Sequence, residues 1–223
     1  MRVVTDGRLK WVGEGRVNTS RGTVDPNNPP EWATVFPAGF LDRLSRIKRG
    51  PQVVNLKDVG LLVSLTGLGG GWRVAEGGSG SGFLTAWLAH LVEHVYSYEL
   101  REDFHRLALE NIRKVGLENV TLRNKSIFEL EEEGLDLVVF DLPNPWDGTG
   151  SAFRALRPGG YFAAYLPTTN QVRRWLISTK KFSEHRVVTS TVWEWRTNPD
   201  AFRPRSKTLA HTAFLCVARK LGH

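Results

Sequence analysis

Residues 76–82 read Glu-Gly-Gly-Ser-Gly-Ser-Gly, and this short stretch decides the class of fold. The residues before it, Arg73–Glu76, predict a β-strand, and Phe83–Val92 after it predict a helix. Glycine adopts positive φ angles easily and lets backbone amides approach a ligand closely. Because a tight strand-to-helix turn alone does not require four glycines, the loop predicts a ligand-binding site.

Two classes of nucleoside-containing cofactor bind glycine loops of this kind. A dinucleotide-binding loop has the spacing G-x-G-x-x-G and holds a pyrophosphate at the helix N-terminus. Here the spacing is E-x-G-x-G-x-G. Its leading carboxylate opposes a pyrophosphate but suits the cationic ammonium and sulfonium groups of S-adenosylmethionine. The candidate cofactor-binding residues of the loop are Glu76, Gly77, Gly78, Ser79, Gly80, Ser81 and Gly82.

Glu99 is the second cofactor candidate, at the end of the next predicted strand. An acidic side chain at that position accepts hydrogen bonds from ribose hydroxyls in either cofactor class. It therefore indicates a nucleoside-containing ligand without choosing between the two classes. The alternative is that Glu99 only caps the helix predicted at Arg101–Val115.

Strands and helices alternate from Trp72 onward. Strands are predicted at Arg73–Glu76, His94–Glu99, Val120–Asn124, Leu135–Asp141, Tyr161–Leu166, Arg186–Trp195 and Thr212–Val217. Helices are predicted between them at Phe83–Val92, Arg101–Val115, Ala152–Leu156 and Thr169–Lys180. This alternation predicts an α/β fold, a doubly wound, Rossmann-like, mostly parallel seven-stranded sheet with helices on both faces. Ligands of that architecture bind beyond the carboxyl ends of the strands.

The first 40 residues differ from the rest of the chain. Short strands are predicted at Leu9–Val12 and Arg16–Thr19, separated by glycine-containing turns. We expect a small N-terminal β module over residues 1–40 and a catalytic domain over 41–223. Phe40–Lys48 and Val59–Leu65 predict the first two helices of the larger domain.

The composition of the 223 residues excludes several classes of protein. It is near the globular average, which excludes collagen, a coiled coil and a mostly disordered chain. A single cysteine excludes an intramolecular disulfide and favours a reducing cytoplasm. No apolar run reaches about 18 residues, so we expect a soluble, cytoplasmic protein with no membrane contact. The net charge of +7 favours a polyanionic partner, nucleic acid first.

The loop after the fourth predicted strand reads Asp141-Leu142-Pro143-Asn144-Pro145-Trp146. Two prolines stiffen it, so that neighbouring carbonyls can face a substrate amine. The Asp141 carboxylate is an acceptor, and Trp146 offers a flat face to a base. The pattern is similar to the loop with which amino-group methyltransferases hold a planar nitrogen nucleophile, whereas an oxidoreductase has no evident need for it. The substrate-binding candidates are Pro143, Asn144, Pro145 and Trp146.

Further candidates follow the fifth strand. Tyr165 either donates a hydrogen bond into the pocket or is a core residue, and the sequence favours neither. The segment between Trp193 and His211 carries Arg203, Arg205 and Lys207. Basic side chains among aromatic ones suit phosphates and stacked bases, although a solvated loop is the simpler alternative. His211 is either a structural histidine or a substrate contact.

The motifs together resemble one family. Arg49-Gly50-Pro51-Gln52 with Lys57-Asp58, then EGGSGSG, SYE, DLPNPW, YLPTTNQV and HTAFL occur in the order found in tRNA adenine-58 N1-methyltransferases. The resemblance covers residues 44–218. It implies dependence on S-adenosylmethionine, tRNA as the substrate, a homotetramer, and no metal.

The resemblance also assigns roles to individual residues. It places Glu76, Gly78, Gly80 and Gly82 in the cofactor loop, Glu99 on the ribose, and Gln52 in a segment lining the cofactor pocket. Asp141 falls in the catalytic pocket, beside the cofactor, and Tyr165 matches an active-site tyrosine. The chain departs from the pattern at Gly77, where the family commonly has alanine. It also lacks an aspartate after the third strand, so Ser126 or a backbone amide is expected to read the cofactor adenine.

The expected reaction is methyl transfer to N1 of adenine 58, with adenine 57 as a further position. Three alternatives remain: a non-catalytic RNA-binding subunit, a nicotinamide-dependent oxidoreductase, and a protein isoaspartyl methyltransferase, which shares the glycine loop but should lack D-x-P-x-P-W.

Overall fold

The N-terminal module consists of short antiparallel strands. The computed structural model describes residues 1–48, 50, 54–206 and 211–222. The first strands are β1 (Arg2–Thr5), β2 (Lys10–Gly13), β3 (Val17–Thr19), β4 (Gly22–Val24) and β5 (Thr34–Pro37). β1 lies between β2 and β5, and β3 pairs with β4. Val4, Val17 and Val24 form a small core of their own. The predicted N-terminal β structure is confirmed, although β1, β4 and β5 were not predicted.

The rest of the chain is an α/β unit, which confirms the predicted fold class. Its helices are α1 (Phe40–Leu44), α2 (Leu56–Thr66), α3 (Phe83–Leu91), α4 (Glu102–Val115), α5 (Thr149–Ala155) and α6 (Thr169–Ser178). Its strands are β6 (Arg73–Gly77), β7 (His94–Tyr98), β8 (Val120–Arg123), β9 (Leu135–Phe140), β10 (Leu156–Leu166), β11 (Ser183–Val188) and β12 (Phe214–Arg219). The seven strands are ordered β11-β12-β10-β9-β6-β7-β8. β12 runs antiparallel to both of its neighbours, and β6 to β10 are parallel.

The core lies on both faces of this sheet, and β9 divides it. Val138 and Phe140 belong to a cluster on one face that includes Trp175 of α6. Leu137 and Val139 belong to a cluster on the other face that includes residues of α2 and α3. Successive side chains of a strand point to opposite faces, so a central strand with helices on both sides must be apolar throughout. Each fully buried side chain of this kind contributes about 1.5–3 kcal/mol.

Helix ends at the functional edge of the sheet are fixed by capping. α2 begins after Asn55, whose side chain accepts a hydrogen bond from Lys57 N, and ends at Gly67 with φ +72°. α6 begins with a capping box in which Thr168 and Gln171 satisfy each other's backbone amides. Both helices therefore start at defined positions beside the carboxyl ends of the strands.

One strand prediction is wrong over most of its length, from residue 189 to residue 195. The strand expected at Arg186–Trp195 ends at Val188, because its partner β12 begins at Phe214 and offers no backbone to pair with beyond that point. Residues 189–206 form an arm that leaves the sheet. The arm is closed on itself by backbone hydrogen bonds from Arg196 N to Arg203 O (2.9 Å) and from Arg205 N to Glu194 O (2.8 Å).

No helix in the described part of the chain is long and apolar enough to cross a bilayer.

Candidate active site

Two clefts open side by side at the carboxyl edge of the sheet. The glycine cleft, about 270 Å³, is bordered by Gly78, Ser79, Gly80, Ser81, Phe83, Leu84, Glu99, Arg101 and Phe104. The tyrosine cleft, about 590 Å³, is bordered by Asn55, Asp58, Tyr165, Pro167, Gln171, Thr212 and Ala213. Val54, Asp141, Leu142 and Pro143 line both. The topology thus brings two of the predicted motifs, the glycine loop and the loop that starts at Asp141, to one place.

The glycine loop needs its glycines for two different reasons. Gly78, Gly80 and Gly82 have φ angles of +93°, +52° and +76°, which L side chains rarely adopt. Gly78 also has no room for a side chain, because a Cβ there would overlap the Asp141 carbonyl oxygen. A Cβ on Gly77 would lie 2.6 Å from Cγ2 of Ile127, so Ile127 must shift before the family's more usual alanine fits here. The loop is therefore shaped by close packing as well as by conformation.

Glu99 is held rigidly at the border of the glycine cleft. Its Oε2 accepts a hydrogen bond from Gly80 N and its Oε1 one from Arg101 N, both at 2.9 Å. The second bond satisfies the amide of Arg101, the residue that precedes α4, so Glu99 supports the start of this helix as well as bordering the cleft. A carboxylate oxygen has two lone pairs, so both oxygens can still accept hydrogen bonds from a ligand.

Glu76 lies behind the glycine loop rather than in the cleft. It is fully buried, and its Oε2 accepts hydrogen bonds from Thr85 (2.6 Å) and Ser97 (2.7 Å). Ser97 in turn contacts Ser79 of the loop through their hydroxyl oxygens, 2.5 Å apart. Among the described residues Glu76 Oε1 has no hydrogen-bond partner. Burial raises the pKa of Glu76 to about 7, although the two hydroxyl donors oppose the shift.

Asp141 stands where the two clefts meet. Its backbone N–H donates to Gly77 O at 2.9 Å, which continues the pairing of β9 with β6 by one residue. Water still reaches the carboxyl group from the clefts, but the protein surrounding it removes enough hydration to raise its pKa to about 6. The group is the only titratable side chain that borders both clefts within the described residues.

The rest of the proline loop faces away from the clefts. Asn144 Nδ2 donates to Asp147 Oδ2 at 2.6 Å, and Pro145 is buried. The ring of Trp146 lies under the guanidinium of Arg174, whose carbon is 3.9 Å from the ring centroid. Of the four substrate-binding candidates in this loop, Pro143 borders both clefts. Asn144, Pro145 and Trp146 are not among their lining residues.

Tyr165 is a wall of the tyrosine cleft and an anchor for α2. Its hydroxyl donates to the backbone oxygen of Asp58 at 3.0 Å. Burial is the main reason that its pKa is well above the ordinary value, and the nearby Asp58, Asp141 and Glu76 carboxylates add to it. The phenolic oxygen remains able to accept a hydrogen bond from the cleft side.

A buried ion pair supports that wall, and sequence reasoning gave it no role. Lys57 Nζ lies 2.7 Å from Asp58 Oδ1, and both side chains are about 5% exposed or less. Thr212, two residues before β12, joins them: its hydroxyl donates to Asp58 Oδ2 at 2.7 Å and lies 2.8 Å from Lys57 Nζ. Adjacent Lys and Asp at the start of an apolar helix were the available signal.

Other candidates lie elsewhere. Ser126 caps the 3₁₀ turn Ile127–Glu129, and Asn124 Nδ2 donates to Glu99 O at 2.8 Å. Neither borders the glycine cleft, whereas Arg101 and Phe104, which sequence reasoning missed, do.

Arg203, Arg205 and His211 are not lining residues of either cleft, although His211 precedes Thr212 of the tyrosine cleft. Arg203 and Arg205 lie on the arm, where Arg205 pairs with Glu194 at 3.3 Å. His211 is exposed, with its ring nitrogen 3.3 Å from Pro167 O. Gln52 and Lys207 lie outside the described residues. Within the described ranges, no group of side chains is arranged to hold a metal ion.

Comparison with known proteins settles the family. Residues 45–199 match the family described as "tRNA methyltransferase complex GCD14 subunit". The chain belongs to this family. Among relatives of the GCD14 family, it is 35% identical over 185 residues to the tRNA (adenine(58)-N(1))-methyltransferase TrmI of Thermus thermophilus, a match covering 79% of this chain and 72% of that protein.

Two further likenesses agree with the GCD14 assignment. A Methanocaldococcus jannaschii protein named tRNA (adenine(57)-N(1)/adenine(58)-N(1))-methyltransferase TrmI is 28% identical, with 81% of this chain and 76% of that protein covered. The crystal structure of tRNA (m1A58) methyltransferase TrmI from Aquifex aeolicus superposes with a TM-score of 0.81 at 26% identity, covering 100% of this chain and 97% of that chain.

Proposed function

We propose that this chain transfers the methyl group of S-adenosylmethionine to N1 of adenine 58 in the T-loop of tRNA. The observation that carries the proposal is the position of Asp141, at the junction of a glycine-lined cleft and a second, larger cleft. A donor in one cleft and an acceptor in the other would meet at that carboxyl group. Membership of the GCD14 family supports the choice of tRNA, and adenine 57 is a second position to examine.

The glycine cleft has features that suit S-adenosylmethionine. Gly78 borders the cleft with backbone alone, and Glu99 holds a fixed carboxylate that suits the ribose hydroxyls. Phe104 and Leu84 give apolar surface on the same wall. We expect these residues, with Ser79 and Gly80, to hold the cofactor. Glu76 would act through Ser97 and Ser79 by fixing the loop. When bound, S-adenosylmethionine supplies an electrophilic methyl group on a cationic sulfur.

Asp141 and Tyr165 would orient the acceptor base. The lone pair on adenine N1 is already free, so no strong base is needed at the reacting atom. Asp141 accepts a hydrogen bond from the exocyclic amine, which aligns the ring and stabilises the positive charge that methylation creates. Tyr165 lines the same cleft from the neighbouring strand, one position beyond the pairing of Ala164 with Phe140. Correct orientation of two reactants contributes up to about 7–11 kcal/mol in favourable cases.

The target atom lies on the pairing edge of adenine, so the base must leave its stack to enter the tyrosine cleft. Unstacking costs a few kcal/mol. Phosphate contacts with basic side chains would offset this cost, because they bind the RNA independently of the extruded base and make binding depend on salt.

We propose that the chain forms a homotetramer and that the arm, residues 189–206, takes part in the contacts between copies. Trp193 and Phe202 are 60% and 66% exposed, and Trp195 stacks on Phe202 with ring centroids 5.1 Å apart. Large exposed aromatic side chains grouped on one projection mark interaction surfaces. Two relatives of the chain are named as catalytic subunits of tRNA (adenine(58)-N(1))-methyltransferases.

A methyltransferase assay on the purified chain tests the proposal. Unmodified tRNA transcript is incubated with the chain and radiolabelled S-adenosylmethionine, and the modified nucleotide is mapped. We expect label at adenine 58, and none at that position when the adenine is replaced by guanine; any label that then remains is mapped to test adenine 57. Absence of label with the chain alone, and its appearance with an added subunit even when this chain carries Asp141→Ala, would favour a non-catalytic role. Equilibrium dialysis against NAD in parallel tests the oxidoreductase alternative, and an isoaspartyl peptide tests the protein-methylating one.

A further inference from the structure

We propose that the exposed side of α6 and the turn after it binds the phosphate backbone of RNA at the mouth of the tyrosine cleft. Four side chains define this α6 basic surface: Arg173, Arg174, Lys180 and Lys181. The identity of the RNA as tRNA rests on the proposed function, whereas the binding of an RNA backbone rests on the geometry and charge of the surface itself.

The charge of this region is strongly one-sided. Residues 142–183 contain six basic side chains, of which Arg154 and Arg157 lie outside the α6 basic surface, and one acidic side chain, Asp147. Arg157 is paired with Asp136 at 2.7 Å. By contrast, the four cations of the α6 basic surface form no ion pair with any described residue. Unpaired exposed cations in one place are the electrostatic footprint expected for a polyanion.

The surface begins at the cleft itself. Pro167, just before α6, and Gln171, in its first turn, both line the tyrosine cleft. Gln171 Nε2 also donates to Pro143 O at 3.2 Å, which connects the helix to the loop of Asp141. A helix of ten residues is about 15 Å long, so cations along it can follow a few successive phosphates leading away from a base held in the cleft.

One of the four cations is positioned in advance. The Arg174 guanidinium lies over the Trp146 ring, with its carbon 3.9 Å from the centroid. A stacked guanidinium keeps its N–H groups at the edge of the ring, where they can bind a phosphate in bidentate fashion. The face of the Trp146 ring that Arg174 covers therefore positions this arginine and is not available to stack on a base.

The helix that carries the surface is rigid. Trp175, the next residue after Arg174, is fully buried in the core, and Thr179 Oγ1 donates to its backbone oxygen at 2.9 Å. At the other end, Thr168 and Gln171 form the capping box. A fixed helix loses little conformational entropy when its cations bind, so these contacts favour affinity.

A protein partner is the competing occupant, since Leu176 and Ile177 are also exposed on this helix, at 38% and 55%. The excess of unpaired positive charge favours RNA. Loss of charge should weaken RNA binding if RNA is the occupant, and should change the oligomeric state if another copy of the chain is the occupant. Both quantities are therefore measured.

The test is tRNA binding by a triple variant, Arg173→Gln, Lys180→Gln and Lys181→Gln, measured by fluorescence anisotropy with labelled transcript between 50 and 200 mM KCl. The matched control is Arg8→Gln, Arg106→Gln and Arg113→Gln, which removes the same charge from exposed positions in the N-terminal module and on α4, at the other end of the sheet. Affinity for S-adenosylmethionine serves as the check on folding, and light scattering gives the oligomeric state.

We expect the triple variant to weaken tRNA binding at 150 mM KCl by about tenfold or more, and to reduce the slope of log K against log salt by about two to three. The control variant should differ from wild type by less than about twofold. Three results would contradict the proposal that this surface binds RNA: equal effects of both variants, an unchanged salt slope, or a change of oligomeric state in place of a change in tRNA affinity.

The test also separates this proposal from the proposed function. If wild type binds tRNA through this surface but transfers no methyl group, the RNA-binding surface is supported and the proposed function fails. Normal binding and methylation by the triple variant would mean that the surface fails and the proposed function stands.

Discussion

Gly78 packs directly against the main chain of Asp141. A Cβ on Gly78 would overlap the Asp141 carbonyl oxygen and lie 3.2 Å from its carbonyl carbon. The backbone of the glycine loop and the backbone of the proposed catalytic loop therefore touch, beside the residues that line both clefts. Because no side chain intervenes, any group added at Gly78 must push the two backbones apart.

Gly78→Ala should disrupt both loops. The added methyl group collides with backbone, which cannot rotate away, and the residue's φ of +93° is unfavourable for alanine. We expect S-adenosylmethionine to bind at least about tenfold more weakly and the free energy of unfolding to fall by about 2–4 kcal/mol. Calorimetric titration and urea denaturation measure the two effects.

The matched control is Gly60→Ala, in the middle of α2, where no described atom beyond the neighbouring residues and the helix's own backbone lies within 4 Å of the new methyl group. Alanine stabilises a helix interior relative to glycine by about 0.5–1 kcal/mol. A Gly78→Ala protein that binds the cofactor as tightly as the Gly60→Ala protein would show that the contact does not matter.

The pH dependence of turnover should follow Asp141. Its pKa is raised to about 6 by loss of hydration, so the carboxylate that accepts the amine hydrogen bond forms as pH rises through that value. We expect turnover under saturating substrates to increase between pH 5 and 7 and then level off.

Asp141→Ala should lower turnover by about 10²–10³-fold, by analogy with loss of one charge-stabilising group, while binding of S-adenosylmethionine stays within a few-fold of wild type. Asp141→Asn should lose the rise with pH as well. Turnover near the wild-type rate in either variant, or the same rise with pH in Asp141→Asn, contradicts the role given to this residue.

Glu76→Gln should change how stability depends on pH. The pKa of Glu76 is about 7 in the folded protein and near 4.5 when unfolded. Between those values the folded state keeps a proton that the unfolded state has lost, so wild-type stability falls as pH rises. Glutamine carries no such proton. The free energy of unfolding of Glu76→Gln minus that of wild type should therefore grow by about 1–3 kcal/mol from pH 4.5 to pH 7.

Urea denaturation at several pH values measures this difference, with Glu31→Gln as the exposed control. Parallel stability curves for Glu76→Gln and wild type would mean that Glu76 is ionised across the whole range despite its burial.

The Lys57–Asp58 pair should behave as one unit. Asp58→Ala leaves the Lys57 ammonium buried without its partner, which costs about 3–5 kcal/mol. The double variant Lys57→Met, Asp58→Ala removes the unpaired charge, so we expect it to be more stable than Asp58→Ala alone. Chemical denaturation of the two single variants and the double variant gives the three changes in the free energy of unfolding that a double-mutant cycle needs. If the change in the double variant equals the sum of the two single changes, the pair is not coupled.

Assembly should depend on the arm. Val192→Ser with Trp193→Ser removes two apolar side chains that are 50% and 60% exposed, and we expect the particle mass from light scattering to fall below that of wild type. The control is Leu9→Ser with Leu221→Ser, which removes two equally exposed leucines outside the arm. An unchanged mass for the arm variant, or the same loss in the control, would show that the assembly uses another surface.

The sequence by itself determined the α/β architecture and the location of the clefts. The periodicity of β9 and the glycines after β6 are local signals, because a buried central strand must be apolar on both faces and a close-packed turn must lack side chains. Since parallel strands end at one edge, the order of the motifs along the chain was sufficient to bring Gly78, Glu99, Asp141 and Tyr165 together.

Only the tertiary structure decided which side chains face the clefts. Glu76 precedes the glycine loop but points into the sheet, where Thr85 and Ser97 bind it, and Trp146 supports Arg174 away from either cleft. Such directions depend on contacts between residues distant in sequence, and no local pattern encodes them. The same is true of the end of β11 at Val188, because a strand continues only as far as its partner does.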